Sequence, residues 1–198
     1  MLRTLMVLFT AVILLSAPAF AADLNRAVEL FDQGKFAEAE PELRAVVEAE
    51  PENARARRYL GLALLEEGKP ADEAAPHLIK AGELEPGGES RLALARLYVE
   101  RNEFDKAEEA LKEAEGSQLE YVRGRVHLER KRYNEAAQDF EAFIEKNTGH
   151  AYAHYYAGLA YNGLRRPDKM LTHFQLFLKM KPDAPEARKV RAVLKTAR

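Results

Sequence analysis

The chain contains no cysteine and no tryptophan among its 198 residues. The absence of cysteine excludes disulfide bonds, thiolate metal ligands, thiol nucleophiles and the lipid attachment of a bacterial lipoprotein. Residues branched at Cβ are sparse beside alanine and leucine, which favours helices over sheets. With 47% hydrophobic and 31% charged residues, the composition is typical of one medium-sized globular domain with enough apolar side chains for a core.

Residues that could support catalysis are also scarce. After residue 22 only Ser90 and Ser117 offer serine hydroxyls, and neither stands in a strand–turn–helix nucleophile elbow. The segment 61–69 lacks the spacing of a phosphate-binding loop. His150 and His154, four residues apart, could bind a metal from one helix face, but no third ligand completes the set, so exposed polar residues are the favoured interpretation. We therefore expect no enzyme activity, no cofactor and no metal.

The first 21 residues have the pattern of a cleavable signal peptide. A short basic start precedes an apolar run from Leu5 to Leu15, and residues 19–21 (Ala-Phe-Ala) have the small–x–small form of a cleavage site. The apolar run is about half of the ~20 residues that a membrane-spanning helix needs. We expect cleavage after Ala21, a periplasmic location and no transmembrane span in the mature chain. An uncleaved membrane anchor is the alternative.

One motif occurs five times along the rest of the chain. It combines a turn, an aromatic ring in most copies, a helix start and a small residue, and its first copy is the hexapeptide 34–39 (Gly-Lys-Phe-Ala-Glu-Ala). The copies begin at residues 34, 68, 102, 131 and 165. Small residues recur at the same spacing in the helix predicted before each turn: Ala27, Gly61, Ala95, Gly124 and Gly158. Glycine inside a helix costs about 1 kcal/mol relative to alanine, so we expect a neighbouring helix to approach closely at these positions.

The repeated pattern resembles the tetratricopeptide repeat, a 34-residue helix–turn–helix unit. The resemblance covers residues 20–184 and implies an all-α, right-handed superhelical solenoid within one domain, residues 22–198. The five repeats are expected at about residues 20–53, 54–87, 88–116, 117–150 and 151–184, and a capping helix at 185–197. The third repeat is five residues short, and Ser117 to Glu120 reads as a capping box that opens the fourth repeat.

The same resemblance implies a binding surface, because the first helices of such repeats line the concave side of the superhelix, which usually holds a peptide or helix of a partner. Carried onto this sequence, the inward face consists of Arg55, Arg58, Leu62, Leu92, Arg96, Tyr121, Arg125, Leu128, Tyr152, Tyr155, Leu159 and Asn162. Arginine and tyrosine are enriched in protein recognition surfaces. We therefore expect a groove that binds a protein segment carrying carboxylates. The alternative is that these residues only solvate the inner face.

Charge is distributed unevenly along the chain. Residues 22–120 contain 13 Lys and Arg against 24 Asp and Glu, a net charge of −11, whereas residues 121–198 contain 16 against 8, a net charge of +8. Along a solenoid this difference is an electrostatic dipole. An acidic protein, an anionic lipid surface and head-to-tail self-association are all open as targets of the basic end, as is simple solvation. Nucleic acid is not expected as a partner outside the cytoplasm.

These observations predict a non-enzymatic periplasmic scaffold or adaptor for protein–protein interactions in the cell envelope. The alternative is an accessory or ligand-binding protein for cell-wall or envelope-assembly enzymes. A saccharide site of that kind would draw on Tyr152, Tyr155, Tyr156 and Asn162.

Overall fold

A computed structural model describes residues 23–196. In this range the chain forms eleven α-helices and no strand: α1 (Leu24–Asp32), α2 (Phe36–Ala49), α3 (Ala54–Glu66), α4 (Ala71–Leu84), α5 (Gly88–Glu100), α6 (Phe104–Leu111), α7 (Leu119–Glu129), α8 (Tyr133–Lys146), α9 (Ala151–Gly163), α10 (Pro167–Met180) and α11 (Ala187–Thr196). The predicted signal peptide, its cleavage site and the last predicted residue of the capping helix lie outside the described residues.

The helices stack as a solenoid. Ten of them form consecutive hairpins, α1–α2 to α9–α10, and the second helix of each hairpin packs against the first helix of the next. The first helices α1, α3, α5, α7 and α9 also contact one another in sequence, so they form a continuous row. The terminal helix α11 packs against α10. The predicted all-α solenoid is confirmed.

In each hairpin turn the first helix ends in the same way, at a residue with a left-handed backbone conformation. The first residue of every motif copy has a positive φ: 73° at Gly34 and Gly68, 58° at Asn102, 59° at Lys131 and 56° at Arg165. In each case the next N–H donates to a helix carbonyl five residues earlier, as Lys35 N does to Leu30 O at 2.9 Å. This bond is the hallmark of the Schellman motif, which satisfies the last carbonyls of a helix. The repeated motif is therefore the stop signal of each first helix.

The small residues of the first helices lie where the two helices of a hairpin touch. Ala27 and Ala95 are fully buried, and a Cβ added to Gly158 would lie 2.5 Å from Cδ1 of Phe174. At Gly61 the added Cβ would lie 2.4 Å from Cγ of Leu78. The predicted close approach is confirmed, since no side chain fits at these glycines without displacing a side chain of the facing helix.

The third hairpin is shortened in its second helix. Helix α6 has 8 residues, whereas α2, α4, α8 and α10 each have 14. The chain after α6 returns to the start of α5, where Glu115 N donates to Gly88 O at 3.0 Å. Helix α7 then begins at Leu119, and its N-cap Gln118 makes no side-chain capping bond. The predicted capping box at Ser117 is wrong, because the turn through Gly116 (φ 138°) places Ser117 one residue before the cap.

The core runs the length of the array and changes in character along it. Leucines such as Leu43, Leu64 and Leu78 fill the first two hairpins. Phenylalanines and tyrosines around Phe140 and Phe174 fill the last two. Among residues 23–196 no helix combines the length and apolar character that crossing a membrane requires.

Candidate functional site

Two adjoining cavities follow the row of first helices. The first, of about 200 Å³, is lined by α1, α3, α5 and the connection that leads into α7. The second, of about 460 Å³, is lined by the ends of α3 and α5, by α7 and α9, and by Glu186 just before α11. Arg96 and Gln118 line both cavities, which therefore form one continuous surface. We call this surface the groove.

The structure brings seven of the twelve predicted site residues into the groove. They are Arg58, Leu62, Leu92, Arg96, Tyr121, Arg125 and Tyr152. These side chains come from four different hairpins, so only the stacking of repeats places them on one surface.

The other five predicted residues lie outside the lining of both cavities. Tyr155 is 9% exposed and packs with its ring centroid 5.1 Å from that of Phe177, so it belongs to the core. Leu128 and Leu159 are half-buried against the same core cluster. Asn162 is exposed, and Arg55 is exposed with its guanidinium 5.7 Å from the ring centroid of Tyr59. Of the residues considered for a saccharide site, Tyr152 and Tyr156 line the groove and their rings contact the buried Tyr155, whereas Asn162 does not line the groove.

Every arginine of the groove is held by a carboxylate from a neighbouring repeat. Arg58 Nη2 donates to Glu89 Oε2 at 2.5 Å, and its Nη1 lies 3.4 Å from Glu85 Oε2. Its side chain is only 10% exposed. Arg96 forms the equivalent ion pair with Glu66, and Arg125 forms it with Glu100.

Aromatic rings form the wall between these ion pairs. The ring centroid of Tyr121 lies 4.8 Å from that of His150 and 6.0 Å from that of Tyr156, and the Arg125 guanidinium lies 5.3 Å from the Tyr156 centroid. Burial raises the pKa of Tyr121 and Tyr156 and lowers the pKa of His150. All three rings are therefore uncharged at pH 7. At the far end the Tyr152 hydroxyl donates to Glu186 Oε2 at 3.2 Å.

Sequence reasoning missed all six carboxylates of the groove: Asp32, Glu66, Glu89, Glu100, Glu115 and Glu186. It also missed Phe31, Tyr59 and Gln118, and it considered His150 and Tyr156 only for other kinds of site. A signal existed for three of the carboxylates. Glu66, Glu89 and Glu100 lie 30, 31 and 25 residues from their arginine partners, which is close to one repeat. Opposite charges about one repeat apart on first helices would have indicated the pairing.

The two histidines considered for a metal site do not act together. His150 caps α9, accepting a bond from Ala153 N at Nδ1 (3.1 Å). His154 is 5% exposed, and its Nδ1 lies 3.0 Å from Nδ1 of His173, which is 7% exposed. The expectation that His154 is an exposed polar residue is wrong, because α10 covers it. Within residues 23–196 no group of three or more His, Asp or Glu side chains is arranged to hold a metal ion.

Comparison with known proteins identifies the repeats. Two family models, both described as tetratricopeptide repeat, match residues 24–81 and 121–185 and residues 88–120. No curated protein shows a significant match.

Several solved structures share the fold. A thermophilic tetratricopeptide repeat protein from Thermus thermophilus superposes with a TM-score of 0.63 at 18% identity, over 88% of this chain and 96% of that one. PilF of Pseudomonas aeruginosa superposes with a TM-score of 0.61 at 17% identity, over 87% and 86% of the two chains. YrrB, described as a TPR protein with an unusual peptide-binding site, superposes with a TM-score of 0.52 at 21% identity, over 85% and 89%.

Proposed function

Since this chain belongs to the tetratricopeptide repeat family, whose members bind peptides or proteins, we propose that it is a non-enzymatic scaffold that binds a segment of a partner protein in the groove. The observation that carries this proposal is the continuity of the groove across all five hairpins, with aromatic rings and paired charges along its length. An extended or helical segment needs such a long, mixed surface, because its affinity comes from several anchoring side chains.

The groove is also built to keep its shape. Its arginines are fixed by ion pairs, and its rings pack on the core, as Tyr121 does against Phe140 and Phe143. A preformed surface loses little side-chain freedom on binding, which favours affinity. The description of YrrB as a peptide-binding protein supports the same use of this fold.

The sequence favours an acidic partner. The groove can bind one only if a carboxylate of the partner replaces a carboxylate that is already paired with an arginine. A carboxylate of the partner would take the place of Glu66 at Arg96 or of Glu100 at Arg125. Binding would then exchange one ion pair for another, so the gain in free energy would have to come from the aromatic contacts.

We also propose where the protein is located and in which cellular process it acts. The signal-peptide pattern of residues 1–21 supports export to the periplasm and a role in the cell envelope. Sequencing the amino terminus of the protein recovered from its native cells checks this. We expect the mature chain to begin at Ala22, and a chain that still begins at Met1 would contradict export by cleavage.

Site-specific crosslinking tests the groove. A photo-crosslinking amino acid at Leu62, which is half-buried in the groove wall, should capture partner proteins in intact cells. The matched control position is Ile79, which is 39% exposed on α4 and lies outside the groove lining. Equal capture at the two positions, or none at Leu62, would remove the groove as the binding surface. The captured proteins also decide whether the partner is a cell-wall or envelope-assembly enzyme.

A further inference from the structure

We infer that the segment bound in the groove is basic and places lysine or arginine side chains along it. This inference rests on the proposed function of the groove and adds the chemistry of the partner.

The charges that line the groove do not balance. Three arginines and six carboxylates line it, and no lysine does. The positive charges of the three arginines are neutralised by ion pairs with Glu89, Glu66 and Glu100. The remaining carboxylates Asp32, Glu115 and Glu186 take part in no ion pair within residues 23–196, and His150 is uncharged at pH 7. The groove therefore has three surplus negative charges and no surplus cation.

The surplus carboxylates lie at both ends of the groove. Asp32 and Glu115 line the first cavity, and Glu186 lines the far end of the second. Between them lie the neutralised arginine–glutamate pairs and the tyrosine rings. A segment that follows the groove thus meets a carboxylate, then an uncharged aromatic stretch, then a carboxylate. Tyrosine faces attract lysine and arginine in addition, because the ring quadrupole is negative above the ring plane.

An acidic segment meets the opposite situation. Its carboxylate would have to separate an existing pair, and the displaced glutamate would stay in the groove without a cation. Arg58 is the least accessible of the three, since its side chain is 10% exposed and has carboxylates on two sides. A cleft lined by one sign of charge also concentrates ligands of the other sign, and this speeds their encounter with the protein.

A random-peptide display library tests this inference without knowledge of the partner. The full chain is the immobilised target, and the net charge of the enriched peptides is the readout. We expect enriched peptides to carry a net positive charge and to bind more weakly as salt is raised. Enrichment of acidic or uncharged peptides would overturn the inference while leaving the groove as a binding site. If no peptide is enriched over an empty support, the proposed groove function fails, and the inference with it.

Two triple variants with the same change in net charge locate the effect. Asp32→Asn, Glu115→Gln and Glu186→Gln neutralise the surplus carboxylates of the groove. Glu38→Gln, Glu48→Gln and Glu135→Gln neutralise three exposed carboxylates outside its lining. We expect the groove triple to weaken binding of an enriched basic peptide roughly tenfold and the control triple to leave it nearly unchanged. Equal weakening by both triples would show an effect of net charge alone and would overturn the inference.

Discussion

At the scale of single residues, the five turns show how one backbone conformation tolerates different side chains. All five motif copies begin with a left-handed residue, yet only Gly34 and Gly68 are glycines. Asn102 is the next best choice, because asparagine visits this region more readily than most residues. Lys131 and Arg165 are held there by the two helices they join. The periodicity identified these positions as turns, but the strain at two of them follows only from the φ angles.

Replacing Arg165 with glycine should therefore stabilise the protein. A left-handed non-glycine residue costs about 1–2 kcal/mol, whereas the added freedom of glycine in the unfolded chain costs about 0.4–1 kcal/mol. We expect Arg165→Gly to raise the free energy of unfolding by about 0.5–1 kcal/mol in urea titrations. Arg165→Ala is the control, because it removes the same side chain and keeps the Cβ. Equal stabilities of the glycine and alanine variants would contradict the strain.

At the scale of helices, the small residues decide how closely each hairpin closes. The fixed spacing of Ala27, Gly61, Ala95, Gly124 and Gly158 was sufficient to predict a contact, since a helix glycine needs a packing reason. The structure adds the facing side chains, Leu78 against Gly61 and Phe174 against Gly158. The shortening of α6 could be predicted only in part. The length of the third repeat showed that five residues are missing, but it did not show that Glu115 N donates a hydrogen bond to Gly88 O.

Substituting Gly158 with alanine tests this packing. Alanine improves helix propensity by about 1 kcal/mol, but its Cβ would meet the ring of Phe174, which is 1% exposed and packed in the core. Overpacking of this kind costs about 1–3 kcal/mol. We expect a net loss of about 1 kcal/mol in the free energy of unfolding, measured by chemical denaturation.

A second substitution separates the clash from other effects. In a Phe174→Ala background, where the ring and its Cγ are both absent, the cost of Gly158→Ala should shrink, giving a clear coupling free energy. Gly149→Ala is the control, because nothing lies within 4 Å of its added Cβ. An equal cost of Gly158→Ala in both backgrounds would show that the two helices do not meet there.

At the scale of the whole molecule, charged residues and half-buried or buried histidines are spread over the array. The opposite net charges of the two chain halves make head-to-tail self-association a prediction that stands beside the groove. His77 lies in α4, His150 at the start of α9 and His173 in α10, and burial lowers the pKa of each. At His173 the nearby Glu141 opposes this shift, but burial outweighs it.

The array should therefore lose stability in mild acid. Because the folded pKa of each histidine lies below its unfolded value of about 6.5, the unfolded chain binds more protons as the pH falls. Stability is fully present above about pH 6.5 and decreases as the pH falls toward the folded pKa, by up to about 1.4 kcal/mol per pH unit for each group. Urea midpoints at pH 7.5 and 5.5 measure this. His77→Gln should make the difference between the two urea midpoints smaller, because one of the three titrating histidines is removed. Identical midpoints at the two pH values would contradict the lowered pKa values of the histidines.

The sequence alone determined the features that depend on neighbours within one repeat. Helix pairs, turn positions and the small residues at helix contacts all follow from spacing over a few turns of helix, which local geometry dictates. Only the tertiary structure decided which faces of successive repeats meet. That choice placed Tyr155 and His154 in the core, left Asn162 outside the groove, and set Arg58, Arg96 and Arg125 against carboxylates about one repeat away. Side chains so distant in sequence come together only when the stacking angle is set, and with it the sign of the charge that the groove presents.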